Sequence, residues 1–266
     1  MFSKFKINSR TIEQLHSQVG EISLLRQSSV NDAFYNDIVT KVLGNNGVLD
    51  GSQLQNLNFP SLRDNYHVFI SYSHNDEELA LYLASYLQNN CGLYCFLDST
   101  VWHSADSLLK RLDDIYCQNE DGRTYNYTKR NFSTSHVHAM LSMAMHNIIK
   151  RSECCIVLNS ENSFTLQDGI NNATFSPWLY EEVIFMKGMK ISIPPRLRLR
   201  QERRSYSLGG QIVCESASPQ LQIKYTVDLN MFPDINVTDL LCLSEQGETG
   251  LNKLYCSKGI LRYANR

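Results

Sequence analysis

Trp178 and Glu182 stand four residues apart in the run SPWLYEEVIFM. On a helix that spacing puts both side chains on one face. An indole and a carboxylate there would give an apolar wall beside an anion, which suits a reaction in which positive charge develops. The ordinary alternative for the same spacing is a solvated helix acid next to a core tryptophan. Glu181, the neighbouring acid, points about 100° away. Ser73 and His74 follow an apolar run, where His74 can meet a phosphate or stack on a base. Ser73, Asn75 and Asp76 are also residue types that cap helices, and capping is the favoured role for Asn75 and Asp76. Asp98 closes a second apolar run, where an acid can cap the next turn. Trp102 is a large aromatic in a polar stretch, able to stack on a ring or to tuck under its own loop.

Other polar clusters carry less. His136 and His138 would point roughly 200° apart on a helix, a poor arrangement for one metal ion. Arg196, Arg198 and Arg200 share a face if they lie on a strand. No stacking aromatics are interleaved with them, so a solvated edge strand fits better than a nucleic-acid site. The eight cysteines include no C-x-x-C pair of zinc-ribbon spacing. Adjacent Cys154 and Cys155 read as small core residues, and the set as reduced thiols. Neither a G-x-x-x-x-G-K-S/T loop nor a G-x-S-x-G elbow is present.

The elements that must hold these residues alternate in type. His67 to Tyr72 is a short apolar run, and Leu79, Leu83, Tyr86 and Leu87 repeat helically after it. Leu93 to Asp98 reads as a second strand. A long polar segment, 99–135, precedes a helix expected from Ser135 to Lys150. Cys154 to Leu158 reads as a third, fully buried strand. Ser176 and Pro177 read as the N-cap and first residue of the Trp178–Glu182 helix. Leu179, Val183 and Met186 should face the core. Met189 to Ile193 reads as a fourth strand, Gln222 to Val227 as a further one, Gly209-Gly210 as a hairpin turn, and Leu251 to Tyr263 as a last helix. Strands alternating with helices predict a parallel sheet covered on both faces, with ligands outside the carboxyl ends of the strands.

Residues 1–60 read as a helical extension. Ser9 would cap a helix with Ile12, Leu15, Val19, Ile22 and Leu25 on one stripe. A second helix would start at Asn31 and stop at Gly44, and a boundary is expected near 60 at Pro60. The bulk numbers are those of an ordinary globular protein: 266 residues, 42% hydrophobic, 20% charged and a formal net charge of -2. That charge favours neither nucleic acid nor an anionic membrane. The first residues lack a signal-peptide run, and no apolar stretch reaches the length of a membrane span. The expectation is a cytoplasmic protein without nucleic-acid or membrane partners.

Four blocks together carry a resemblance. His67-Val68-Phe69-Ile70-Ser71-Tyr72-Ser73 resembles the first-strand signature of TIR domains, with His67 where an acid is usual. Phe96-Leu97-Asp98 resembles the second strand, and Ser152 to Ser160 the third. Ser176-Pro177-Trp178-Leu179-Tyr180-Glu181-Glu182 is similar to the catalytic helix motif S-x-W-C-x-x-E, with Leu179 in place of cysteine. The blocks occur in family order. The long 99–135 segment and SHVHAMLS resemble a prokaryotic TIR-like subgroup, and about 15 residues near Phe164 to Phe175 look inserted.

The resemblance implies a flavodoxin-like TIR domain over 61–266, with its core at 64–200, behind the N-terminal helical segment. It implies an NAD+ glycohydrolase or ADP-ribosyl cyclase, with NAD+ as substrate and no cofactor or metal. Glu182 would be the catalytic carboxylate, and Trp178, Ser73, His74, Asp98 and Trp102 the substrate contacts. A role in prokaryotic anti-phage immunity is implied, with TIR–TIR self-association and a separate effector that answers a nucleotide messenger. Two alternatives stay open: a non-catalytic TIR interaction module, and a nucleoside deoxyribosyltransferase-like enzyme.

Overall fold

Lys4-Phe5-Lys6-Ile7-Asn8 alternates polar and apolar side chains, and with Ser3 these residues form strand β1 (Ser3–Asn8). In the computed structural model, which describes residues 1–25, 48–58, 66–97, 99–167, 171–197, 223–244 and 247–261, β1 sits inside the central sheet. The remaining strands of that sheet are β2 (Val68–Ser71), β3 (Cys95–Leu97), β4 (Cys154–Asn159) and β8 (Asp234–Ile235). Their spatial order is β3-β2-β4-β1-β8, and the sheet is parallel throughout. β1 pairs with β4 from Ser3 opposite Cys154 to Asn8 opposite Asn159, and β2 pairs with β4 from Val68 opposite Cys154. Every residue of β2 and all but the last of β4 are buried, as a sheet covered on both faces requires.

The N-terminal segment is therefore corrected. It is not wholly helical, and its first strand is part of the sheet. Helix α1 (Ser9–Val19) follows directly and buries Ile12 and Leu15 as expected. Asn8 rather than Ser9 is the cap, since its side chain accepts from the Arg10 amide. The expected Asn31–Gly44 helix lies outside the described residues. So do Gly209-Gly210 and, of the arginine strand, residues 198 to 200.

The chain forms two compact units. One comprises Met1–Leu24, Tyr66–Phe96 and Ile149–Arg266, and the other Leu25–Asn65 and Leu97–Ile148. A boundary near 60 does not describe this division, because residues 1–24 belong with the sheet. In the sheet unit, α3 (Glu77–Cys91) carries Glu77 and Glu78 in its first turn and ends at Gly92, whose φ of 67° suits glycine. Two helices, α7 (Val237–Leu243) and α8 (Gly247–Ser257), close the chain. Tyr255 of α8 stacks on Phe5 on one face of β1, with ring centroids 6.3 Å apart. On the opposite face Lys4 reaches helix α6 (Pro177–Gly188).

The other unit holds α2 (Gly51–Asn58), α4 (Ser99–Tyr116) and most of α5 (Tyr127–Arg151). The segment expected to be a long polar loop is thus mostly helix, and α5 begins a full two turns before Ser135.

The fourth strand expected at Met189–Ile193 does not form. The edge of β4 where it would add is taken by β1, so the segment runs outside the ladder with Ile191 and Ile193 exposed. Arg196 lies in a 3-10 turn, Pro195–Leu197, and not on a strand. The inserted stretch forms β5 (Thr165–Gln167) and β6 (Asn171–Thr174), which with the later β7 (Tyr225–Val227) make a small antiparallel sheet.

Candidate functional site

Helix α6 begins as its sequence dictates. Ser176 accepts a hydrogen bond from the Leu179 amide at 3.3 Å, and Pro177 occupies the first turn. The small antiparallel sheet steadies this end. Thr174 Oγ1 accepts from the Ser176 amide at 3.1 Å, and Tyr180 stacks on Tyr225 at 4.6 Å. Leu179, Val183 and Met186 are buried, so the predicted core stripe is present.

Glu182 is buried with them, at 3% exposure. Ser71, the last residue of β2, donates its hydroxyl to Glu182 Oε2 at 2.5 Å. Ser71 is itself fully buried. The carboxylate thus stands at the carboxyl end of a central parallel strand, with one oxygen held in a fixed direction. Its field reaches β4. The Cys155 thiol is pushed well above the usual thiol range, first by burial, then by Cys154, and also by Glu182. Trp178 and Glu181 are half-buried, so Glu182 is the more enclosed of the two acids.

At its other end α6 is held by Lys4. The ammonium donates to the Met186 carbonyl at 3.0 Å and the Lys187 carbonyl at 3.5 Å. Those carbonyls have no partner within the helix. Burial, followed by the charge of Lys187, pulls the Lys4 pKa down.

A second polar cluster lies at the same sheet edge. Asp76 is 4% exposed. It accepts from Ser160 Oγ at 2.5 Å, Asn162 Nδ2 at 2.7 Å and Ser163 Oγ at 3.1 Å. The capping role expected for Asp76 is thereby corrected, because its side chain makes no cap bond to α3. Its carboxylate is taken by the loop after β4. Ser163 Oγ in turn accepts from the Ser73 amide at 3.2 Å, which joins the loops after β2 and β4.

Of the predicted contacts, Ser73 is half-buried and His74 exposed in the 3-10 turn His74–Asp76. Both belong with Trp178 and Glu182 in the sheet unit. Asp98 lies outside the described residues. Trp102 falls within α4, in the other unit, and its side chain is also outside the described residues. The residues missed from sequence are Ser71, Ser160 and Ser163. The available signal was a serine within an otherwise apolar strand, and the polar run Ser160 to Ser163 at the end of β4.

The arrangement has the position expected of an α/β ligand site. β2 and β4 are adjacent while their crossovers leave in opposite directions, the switch point at which ligands of such sheets bind. A desolvated carboxylate of fixed orientation stabilises a developing cation more strongly than a solvated one. Among the described residues no group of three His, Cys, Asp or Glu side chains could hold a metal ion, and no helix is long and apolar enough to cross a membrane. No protein-family model matches the chain, and no curated protein or solved structure matches it.

Proposed function

We propose that this chain is a TIR-type enzyme that cleaves NAD+ at the nicotinamide–ribose bond, with Glu182 as its catalytic carboxylate. One observation carries the reading: Glu182 is buried at the carboxyl end of the parallel sheet and held there by Ser71. Nicotinamide is cationic in NAD+ and leaves as a neutral molecule, so the leaving group needs no proton. The difficult species is the ribose cation at C1′, and an oriented carboxylate beside it stabilises that charge. Trp178 supplies an aromatic wall at the helix start. Water then adds at C1′ and releases a proton to give ADP-ribose, or a nitrogen of the adenine adds to give a cyclic product. A cytoplasmic immune role, self-association and a separate messenger-sensing effector belong to this proposal.

At 3% exposure, Glu182 has little surface to offer a substrate in this conformation. The same burial favours the second reading, a non-catalytic module in which the Ser71–Glu182 pair is structural. Purified protein incubated with NAD+, with free nicotinamide followed by chromatography, separates the two. Glu182→Ala should lower turnover at least about a hundredfold, and Ser71→Ala about tenfold, the scale of one lost charge-assisted hydrogen bond. Undiminished turnover in Glu182→Ala would remove the assigned mechanism. Absence of turnover in concentrated wild-type protein would favour the module.

A further inference from the structure

The helical unit holds a cavity of about 720 Å³. Leu54 of α2, Leu112 of α4, and Phe132 and Met140 of α5 line it. That volume falls in the range of pockets that take small molecules, roughly 300–1,000 Å³. The α5 residues along it run from Thr128 to Met140, about 18 Å of helix, so the space is long. Gly51 lies toward the Met140 end, where a side chain would stand only 3.4 Å from Met140 Cε. Phe132 is 69% exposed at the cavity, an aromatic surface that a ligand would take out of water.

The chemistry of the lining is one-sided. Among the described residues that line it, Lys129 is the one with a permanent charge, at the end away from Met140, and none is an Asp or Glu. Asp113, buried beside Ser133, is already engaged by Arg130 at 2.8 Å and by the Ser133 hydroxyl at 2.5 Å. It therefore offers Lys129 little compensation. An elongated apolar space with one cation at one end is complementary to an apolar chain with one anion at its head.

We propose that this cavity binds an acyl-chain carboxylate, a ligand of the medium-chain fatty-acid class. The chain lies along α5 between Leu54, Leu112, Phe132 and Met140, and the carboxylate meets Lys129. The site is independent of the NAD+ reading.

Titration calorimetry of the full chain with monomeric dodecanoate and with dodecanol tests it. Dodecanoate should bind at micromolar concentration, and the alcohol about twofold to fivefold more weakly, the scale of one partly solvated ion pair. Lys129→Gln should lower the acid to the affinity of the alcohol and leave the alcohol unchanged. Met140→Trp should weaken both at least about tenfold by filling the far end, with circular dichroism checking the fold. Equal binding of acid and alcohol by the wild type overturns the proposal. So does unchanged selectivity in Lys129→Gln, unchanged binding in Met140→Trp, or no binding at all. Adsorption to anionic phosphatidylglycerol vesicles without binding of monomeric dodecanoate also overturns it, in favour of a lipid surface.

Discussion

Asp76→Ala should destabilise the sheet unit by about 2–4 kcal/mol. Asp76 accepts from Ser160, Asn162 and Ser163. Hydrogen bonds to a charged group contribute about 1.5–3 kcal/mol each, but bonds within one network do not add. Part of the loss is recovered, because Ser160 and Ser163 also bond to each other at 3.1 Å and the Ser163 amide donates to Ser160 Oγ at 3.0 Å. The net is therefore worth between one and two such bonds, about 2–4 kcal/mol. For a chain of this size the change corresponds to a melting-temperature drop of roughly 5–15 °C. Asp76→Asn keeps an acceptor, and the serine hydroxyls can rotate to accept from its new amide, so it should recover about half the loss. Urea unfolding followed by circular dichroism measures both variants. A cycle with Ser160→Ala should return a coupling of at least about 1 kcal/mol. A loss below about 1 kcal/mol in Asp76→Ala, or additive behaviour in the cycle, would refute the network as a joint between the β2 and β4 loops.

Two further outcomes concern stability alone. Burial pushes the Cys91 thiol and the Tyr86 phenol each up to about 12. Both folded values lie above the unfolded ones, so this stabilisation is fully present below the unfolded values and is lost as pH rises from there through about 12. Cys91→Ala should make the alkaline fall of the urea midpoint, read from pH 8 to 11 under reductant, shallower by about one proton; parallel curves would contradict this. Arg196 donates to both Glu153 oxygens at 2.6 and 2.5 Å and also to Asn252, while Tyr255 donates to Glu153. Arg196→Ala should cost about 1–3 kcal/mol in urea unfolding, and Arg196→Lys should restore less than half, because an ammonium cannot fork onto a carboxylate. Full recovery by lysine would show that only charge matters there.

The parallel α/β sheet was legible because β2 and β4 are continuous apolar runs, a pattern that arises only where both faces are covered. The start of α6 was legible from Ser176 and Pro177, whose capping chemistry is local. Those features depend on neighbours in sequence. The N-terminal strand was less visible because the alternation in KFKIN is short and carries two lysines, which read as solvent-facing. Both lysines have distant partners: Lys4 meets the end of α6, and Lys6 pairs with Asp234 at 3.6 Å. Asp76 failed for a related reason. Its type and position fit a cap, and only the fold brings Ser160 close enough to compete for the carboxylate. Ser71 read as strand filler until α6 was laid across it.

The strand order explains how Glu182 is placed. By position the sheet follows the 2-1-3-4-5 order of flavodoxin-like folds, but the fourth place is filled by β1 from the start of the chain. The crossover after β4 therefore skips a place before β8, and α6 lies within that longer excursion. A helix on a long connection needs anchors. Three stretches supply them: the Ser176 cap tied to β6 at the first turn, the Ser71 hydroxyl in the middle, and the Lys4 ammonium on the last carbonyls. Lys4 acts there as a cation acts at any helix carboxyl end, and burial raises the worth of that contact while costing the lysine part of its hydration. Glu182 lies between the first and third anchors, bonded to the second. Its direction is set by residues from positions 4, 71 and 176, which no local motif links, and this is why the capped start of the helix can be read from sequence while the geometry that orients its acid cannot.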